Sequence, residues 1–144
     1  FPHRGPDEGY LIGARNVTPI NGCGDWIVSK PEHWMFEGTG MKKGDSVPGL
    51  VGWEYHGDPP KDIDGLEVVA EGTALRGGVQ PQHWHATLYP GPKNHFVFNA
   101  ATIFWCQGLA RPPGHMLPWN HWARPHGPDE LVQKITHNLL RRNG

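Results

Sequence analysis

Residues 95–105 read HFVFNAATIFW, the longest and most apolar run in the chain. Aromatic and β-branched residues crowd it, and such side chains suit a pleated, half-buried surface. The spacing predicts a central strand from His95 to Trp105. Working outward, shorter runs of the same character are bounded by breakers: DWIVS at 25–29, Trp34 to Phe36, LVGWEY at 50–55, LEVVA at 66–70 and Trp84 to Leu88. Lys43-Gly44-Asp45, Gly57-Asp58-Pro59-Pro60, Gly77-Gly78 and Pro90-Gly91-Pro92 mark turns between them. Residues 1–24 read as loop, with one short apolar run at Tyr10-Leu11-Ile12.

The end of the chain follows another period. Pro128 precedes an acidic first turn, Asp129-Glu130, which suits the positive end of a helix dipole. Leu131, Ile135 and Leu139 recur on one helical face with Val132 alongside, and Arg141-Arg142 fall in the last turn before Gly144. The expectation is an α+β fold: a mainly antiparallel β-sheet with a C-terminal amphipathic helix, Asp129 to Arg142, on one face. No repeat and no second domain is visible, so residues 1–144 read as a single domain.

Composition bounds the function. Hydrophobic residues make up 37% of 144, and 7 Trp with 5 Phe can fill a core that hides about two-thirds of the extended surface. Gly 20 and Pro 15 approach a disordered composition, but the aromatics argue for short strands joined by turns instead. Net charge is −1, and no basic run exceeds Arg141-Arg142, which leaves no counterion-displacing field for nucleic acid. No stretch approaches the roughly 20 apolar residues of a membrane span. Cys23 and Cys106 make no disulfide framework and read as thiols of a reducing, cytoplasmic setting. Phe1-Pro2-His3-Arg4 has neither an initiator Met nor a signal-peptide pattern, so the chain is expected to begin inside something longer.

Three stretches carry residue types suited to chemistry. His83-Trp84-His85 on a strand would turn both imidazoles to one side, where they could grip a metal ion. With Gly77-Gly78 ahead, the stretch faintly resembles a cupin site, yet the Glu such a site needs is missing from Ala86 to Pro90. Surface or hydrogen-bonding histidines are the simpler account. Phe36-Glu37-Gly38-Thr39-Gly40 sets a carboxylate at the end of an apolar run, where desolvation would suit it to proton transfer; a plain turn glutamate is the alternative. Gly52-Trp53-Glu54-Tyr55-His56-Gly57-Asp58-Pro59 brings acid, aromatic and imidazole together, with Glu54 and His56 on one strand face as a candidate pair. The tryptophans raise a further possibility, a sugar-stacking platform in a non-catalytic carbohydrate- or ligand-binding β module. Most of them lie in apolar runs, where core packing explains them; Trp119 and Trp122 are the exceptions.

The segment from Gly24-Asp25-Trp26-Ile27-Val28-Ser29-Lys30-Pro31 through His33 to Gly40 and Gly52 to Pro59 resembles the C-terminal region of the N,N-dimethylformamidase large (beta) subunit family. His85-Ala86-Thr87, Val97 to Trp105 and the closing helix extend the likeness from about Asp25 to the end. The resemblance implies an iron-dependent amidohydrolase that splits N,N-dimethylformamide into dimethylamine and formate. It implies that this chain is part of a larger glutamine-amidotransferase-like α/β domain, assembled with the rest of the large subunit and a small helical subunit. The iron ligands, two tyrosines and a glutamate, are expected outside this chain, with His83 and His85 only weak candidates. By motif Glu37 corresponds to an acid near the metal, and Thr39, Trp53 and His56 are expected to contact the small amide. Alone, the chain is expected to be inactive and to hold no iron tightly.

Overall fold

The longest pairing forms where two strands flank the turn that begins at Gly77. In the computed structural model, which describes residues 7–15, 22–52, 54–77, 79–111 and 127–142, β3 (Glu67–Arg76) and β4 (Gln80–Pro90) make an antiparallel hairpin. Both strands outrun their apolar centres because the pairing continues through polar residues whose side chains face out, such as Glu71, Thr73 and His83. The other strands are β1 (Cys23–Ile27), β2 (Ser46–Gly52) and β5 (Phe96–Asn99). They form two antiparallel sheets, β1-β2 and β3-β4-β5, linked by a bridge between Val28 and Ala70.

The expected central strand at 95–105 is corrected: β5 is a four-residue edge strand, and β4 is the centre of its sheet. The side chain of Asn99 stops the ladder by accepting from the Ala101 N–H at 2.8 Å, where φ is 63°. Thr102 then accepts from the Phe104 N–H at 3.1 Å and starts a 3-10 helix over Ile103–Gly108. Trp34–Phe36 is likewise a 3-10 helix rather than a strand, because His33 Nδ1 accepts from the Met35 N–H at 3.4 Å. The strand expected at 50–55 lies earlier, ending at Gly52. Two steps along β1 (Gly24 to Trp26) match four along β2 (Val51 to Val47), so Pro48 and Gly49 form a bulge. Gly49 sits at φ 70°, and its N–H donates to Asp25 Oδ1 at 2.8 Å.

The core is centred on Trp26, fully buried. It stacks on Trp84 with ring centroids 6.5 Å apart, and meets Phe36 at 6.1 Å and Trp105 at 5.2 Å. Its Nε1 donates to Ala100 O at 3.0 Å. Core packing therefore accounts for these tryptophans.

The C-terminal helix appears as expected: α2 runs Glu130–Arg141, capped by Asp129, whose Oδ1 accepts from Leu131 and Val132. Val132, Ile135 and Leu139 are buried, each contributing about 1.5–3 kcal/mol of transfer free energy. The helix sits on the two 3-10 helices at 34–36 and 103–108. A Cβ at Gly108 would lie 2.7 Å from Val132 Cγ1, so the close approach needs glycine. Trp105 Nε1 donates to Thr136 Oγ1 at 3.0 Å.

A one-turn helix, α1 (Gly9–Ile12), falls in the stretch read as loop. Its last carbonyls are held from the sheet: Tyr89 Oη donates to Leu11 O, Asn99 Nδ2 to Ile12 O and Thr87 Oγ1 to Gly13 O. Such contacts are non-local and have no signature in a local pattern.

Candidate functional site

Glu37 caps the 3-10 helix at 34–36, and its main chain is fixed from α2. Asn138 Nδ2 donates to Met35 O at 2.9 Å and to Glu37 O at 2.8 Å. The Glu37 side chain is exposed, and no hydrogen bond or ion pair engages its carboxylate among the described residues. It borders a cavity of about 420 Å³ shared with Gly38, Trp34, Lys134, Asn138, Arg141 and Arg142. The apolar burial inferred for this carboxylate is therefore not supplied by its described neighbours. Thr39 has its hydroxyl engaged on both sides: it donates to Phe36 O at 2.7 Å and accepts from the Met41 N–H at 3.2 Å. That hydroxyl shapes the loop.

His56 lies in a second neighbourhood. Its Nδ1 is 2.7 Å from Asn99 Oδ1, an acceptor already holding the Ala101 N–H, so Nδ1 carries the proton and donates. The expected Glu54–His56 pair does not form: Glu54 is exposed, and Asn99 takes its place beside His56. The chain from Tyr55 to Gly57 is threaded between β4 and Ala101, with His85 N–H donating to His56 O and His56 N–H to Ala101 O. The structure thus brings His56 and His85 together and ties Glu37 and Thr39 elsewhere. Trp53, Trp119 and Trp122 lie outside the described residues.

His83 and His85 do share a side of β4, opposite buried Trp84. His83 Nδ1 is 3.5 Å from Thr73 Oγ1, and His85 Nδ1 lies 3.2 Å from Gly57 O with Asp58 and Glu71 near. Among the described residues no group of three or more His, Cys, Asp or Glu could hold a metal ion. The described residues do not fit an iron centre.

Sequence reading missed a larger cleft, about 730 Å³, between the start of the 34–36 helix, the β4–β5 turn and the end of α2. His33, Trp34, Glu67, Phe96 and Arg142 line it. The His33 side chain is 8% exposed and sits 3.3 Å from Glu67 Oε2, while Lys30 Nζ holds Glu67 Oε1 at 2.9 Å. Because Nδ1 accepts from Met35, the ring proton is on Nε2 and points at Glu67. Burial pulls the His33 pKa below its ordinary value, against the opposing pull of Glu67. The sequence signal for this cleft is faint: Trp34 belongs to the apolar run at 34–36, and His33 enters only through the family resemblance.

The described residues define a mainly antiparallel β domain with a closing helix and an open, aromatic-walled cleft. Residues 2–122 match the family described as N,N-dimethylformamidase beta subunit-like, C-terminal, and the chain belongs to that family. The match takes in Glu37, His56 and the sheets; α2 lies beyond it. No curated protein and no solved structure matches the chain. Among the described residues no helix is long and apolar enough to cross a membrane.

Proposed function

We propose that this chain acts as part of an amidohydrolase that splits small N-substituted amides such as N,N-dimethylformamide into amine and formate. The observation that carries this reading is the family match over residues 2–122, which includes the Glu37 loop. In this reading residues 1–144 form a single domain within the C-terminal portion of a larger glutamine-amidotransferase-like subunit, which assembles with a small helical subunit in the cytoplasm. The iron that the resemblance implies would sit on ligands outside this chain, where it would supply Lewis-acid and water-activating chemistry.

Amide hydrolysis needs a proton moved from the attacking water to the departing amine. A carboxyl group that reaches the substrate can shuttle it, worth on the order of 10²–10⁴ in rate. Glu37 suits that task because its backbone is fixed by Asn138 while its carboxylate is not committed to a described partner. Thr39 would hold the loop that presents it. His56, with Nδ1 tied to Asn99, would offer Nε2 to the substrate, and Trp53 would supply an apolar wall.

Glu37→Gln in the complete enzyme keeps size and removes the transferable proton. Turnover is expected to fall by roughly 10²–10⁴, with iron content and melting midpoint unchanged. Turnover within a few-fold of wild type removes the catalytic assignment.

A further inference from the structure

The cleft at Trp34 is not used by the amide-hydrolysis reading, and its chemistry is specific. Trp34 and Phe96 meet edge to face with ring centroids 5.4 Å apart at 65° and give the cleft an apolar corner. The Arg142 guanidinium lies over the Trp34 ring, 5.2 Å from its centroid. The cation–π contact keeps the Arg142 side chain beside the cleft, and a guanidinium presents its N–H donors as a rigid planar fork. The Arg142 backbone is anchored by its N–H to Asn138 O at 3.2 Å.

Charge decides what such a wall would take. Glu67, the acid of the cleft, is already engaged by Lys30 and by His33 Nε2. Arg142 has no ion-pair partner among the described residues. The adjoining cavity of about 420 Å³ shares Trp34 and Arg142 and adds Lys134 and Arg141 against Glu37. The unmatched charge along this surface is therefore positive, beside an aromatic corner.

We infer that the cleft walled by Trp34, Phe96 and Arg142 is a binding site for a small organic carboxylate with a flat apolar body, of the benzoate class. The carboxylate accepts from the Arg142 fork, and the ring lies against Trp34 and Phe96. A cleft of about 730 Å³ accommodates such a body, since small-ligand pockets span roughly 300–1,000 Å³. An ammonium ligand finds its natural partner, Glu67, occupied.

The test is calorimetric titration of the full-length protein that carries this chain with benzoate, benzyl alcohol and benzylamine. Benzoate is expected to bind once per chain, with the neutral and cationic probes at least about tenfold weaker, because charge-assisted fork contacts are lost. Arg142→Gln should weaken benzoate at least about tenfold, or 1.4 kcal/mol, while leaving benzyl alcohol unchanged. Arg142→Lys, which keeps charge but not the fork, should fall between. The inference is overturned by benzoate binding equally to the Arg142→Gln protein, by preference for benzylamine, or by no saturable benzoate binding in the millimolar range. None of these outcomes bears on Glu37, whose role is read by turnover.

Discussion

β4 and the stretch from Phe96 to Gly108 are written in the same aromatic and branched residues, and the chain treats them differently. β4 runs unbroken for 11 residues, paired with β3 from Gln80 to Leu88 and with β5 from Thr87 to Pro90. Past Asn99 the second stretch turns its backbone bonds over to side chains, and the ladder ends. What separates the two is the use made of short polar residues inside an apolar run. Thr87 of β4 spends its hydroxyl on a distant carbonyl, Gly13 O. Asn99 Oδ1 and Thr102 Oγ1 instead accept from amides two residues ahead, which competes with strand pairing. One region is held by a main-chain ladder and packing, and the other by polar side-chain joints.

Four measurements press on that contrast. The largest effect is expected at the helix seated on residues 103–108. Leu139 is 7% exposed, and Leu139→Asp forces an unpaired carboxylate among apolar neighbours, costing about 3–5 kcal/mol. A melting midpoint within about two degrees of wild type would show that the helix is not docked there.

Next comes the polar joint itself. Thr102 Oγ1 donates to Leu50 O at 2.9 Å and accepts from Gly52 N–H at 3.3 Å and Phe104 N–H at 3.1 Å. Thr102→Val keeps the shape and strands three backbone groups, so a loss of about 2–3 kcal/mol in denaturant titration is expected. A loss below about 0.5 kcal/mol would mean that packing holds this region too.

On the other side of the contrast, Trp84 Nε1 is buried without a partner among the described residues. Trp84→Phe gives up some packing volume but also an unpaired donor, so a smaller cost of about 1 kcal/mol is expected. A cost equal to that of Thr102→Val would erase the distinction between the regions.

The smallest effect is a pH dependence. His33 has its pKa lowered in the fold, so the unfolded chain binds more protons as pH falls through its ordinary value of about 6.5. Its contribution to stability is full above that value and declines below it, toward the lowered folded pKa. His33→Asn retains an acceptor for Met35 N–H and should flatten the fall in melting midpoint on acidification from neutral pH. An unchanged profile would show that His33 is not the group responsible.

The sequence made some of this legible for physical reasons. α2 was readable because acidic first turn, apolar face and basic end all lie within one local stretch, and the cores of β3 and β4 because breakers bound the runs at 66–70 and 84–88. The tryptophans were rightly assigned to the core where they sit in apolar runs, as Trp26 and Trp84 do. What escaped were features made by distant partners. Strand ends at Asn99 and Gly52 depend on Ala101 and Thr102, α1 depends on Tyr89, Thr87 and Asn99, and the cleft depends on Arg142 reaching Trp34. Of the candidate site, Glu37 and His56 were picked out by residue type. That Asn138 fixes one and Asn99 the other could be seen only in three dimensions.

The bulge at Pro48-Gly49 has a consequence for how this chain behaves among its own copies. Among the described residues β2 pairs with no strand but β1, Thr102 covers only its end at 50–52, and an uncovered strand edge is a template on which another chain can add itself. At Pro48 there is no N–H to offer, and the Gly49 N–H is already given to Asp25. An incoming strand would find no donor at Pro48, on a backbone bent away from the straight path that fibrous stacking requires. The irregularity in the smaller sheet thus makes β2 a poor template for edge-to-edge pairing.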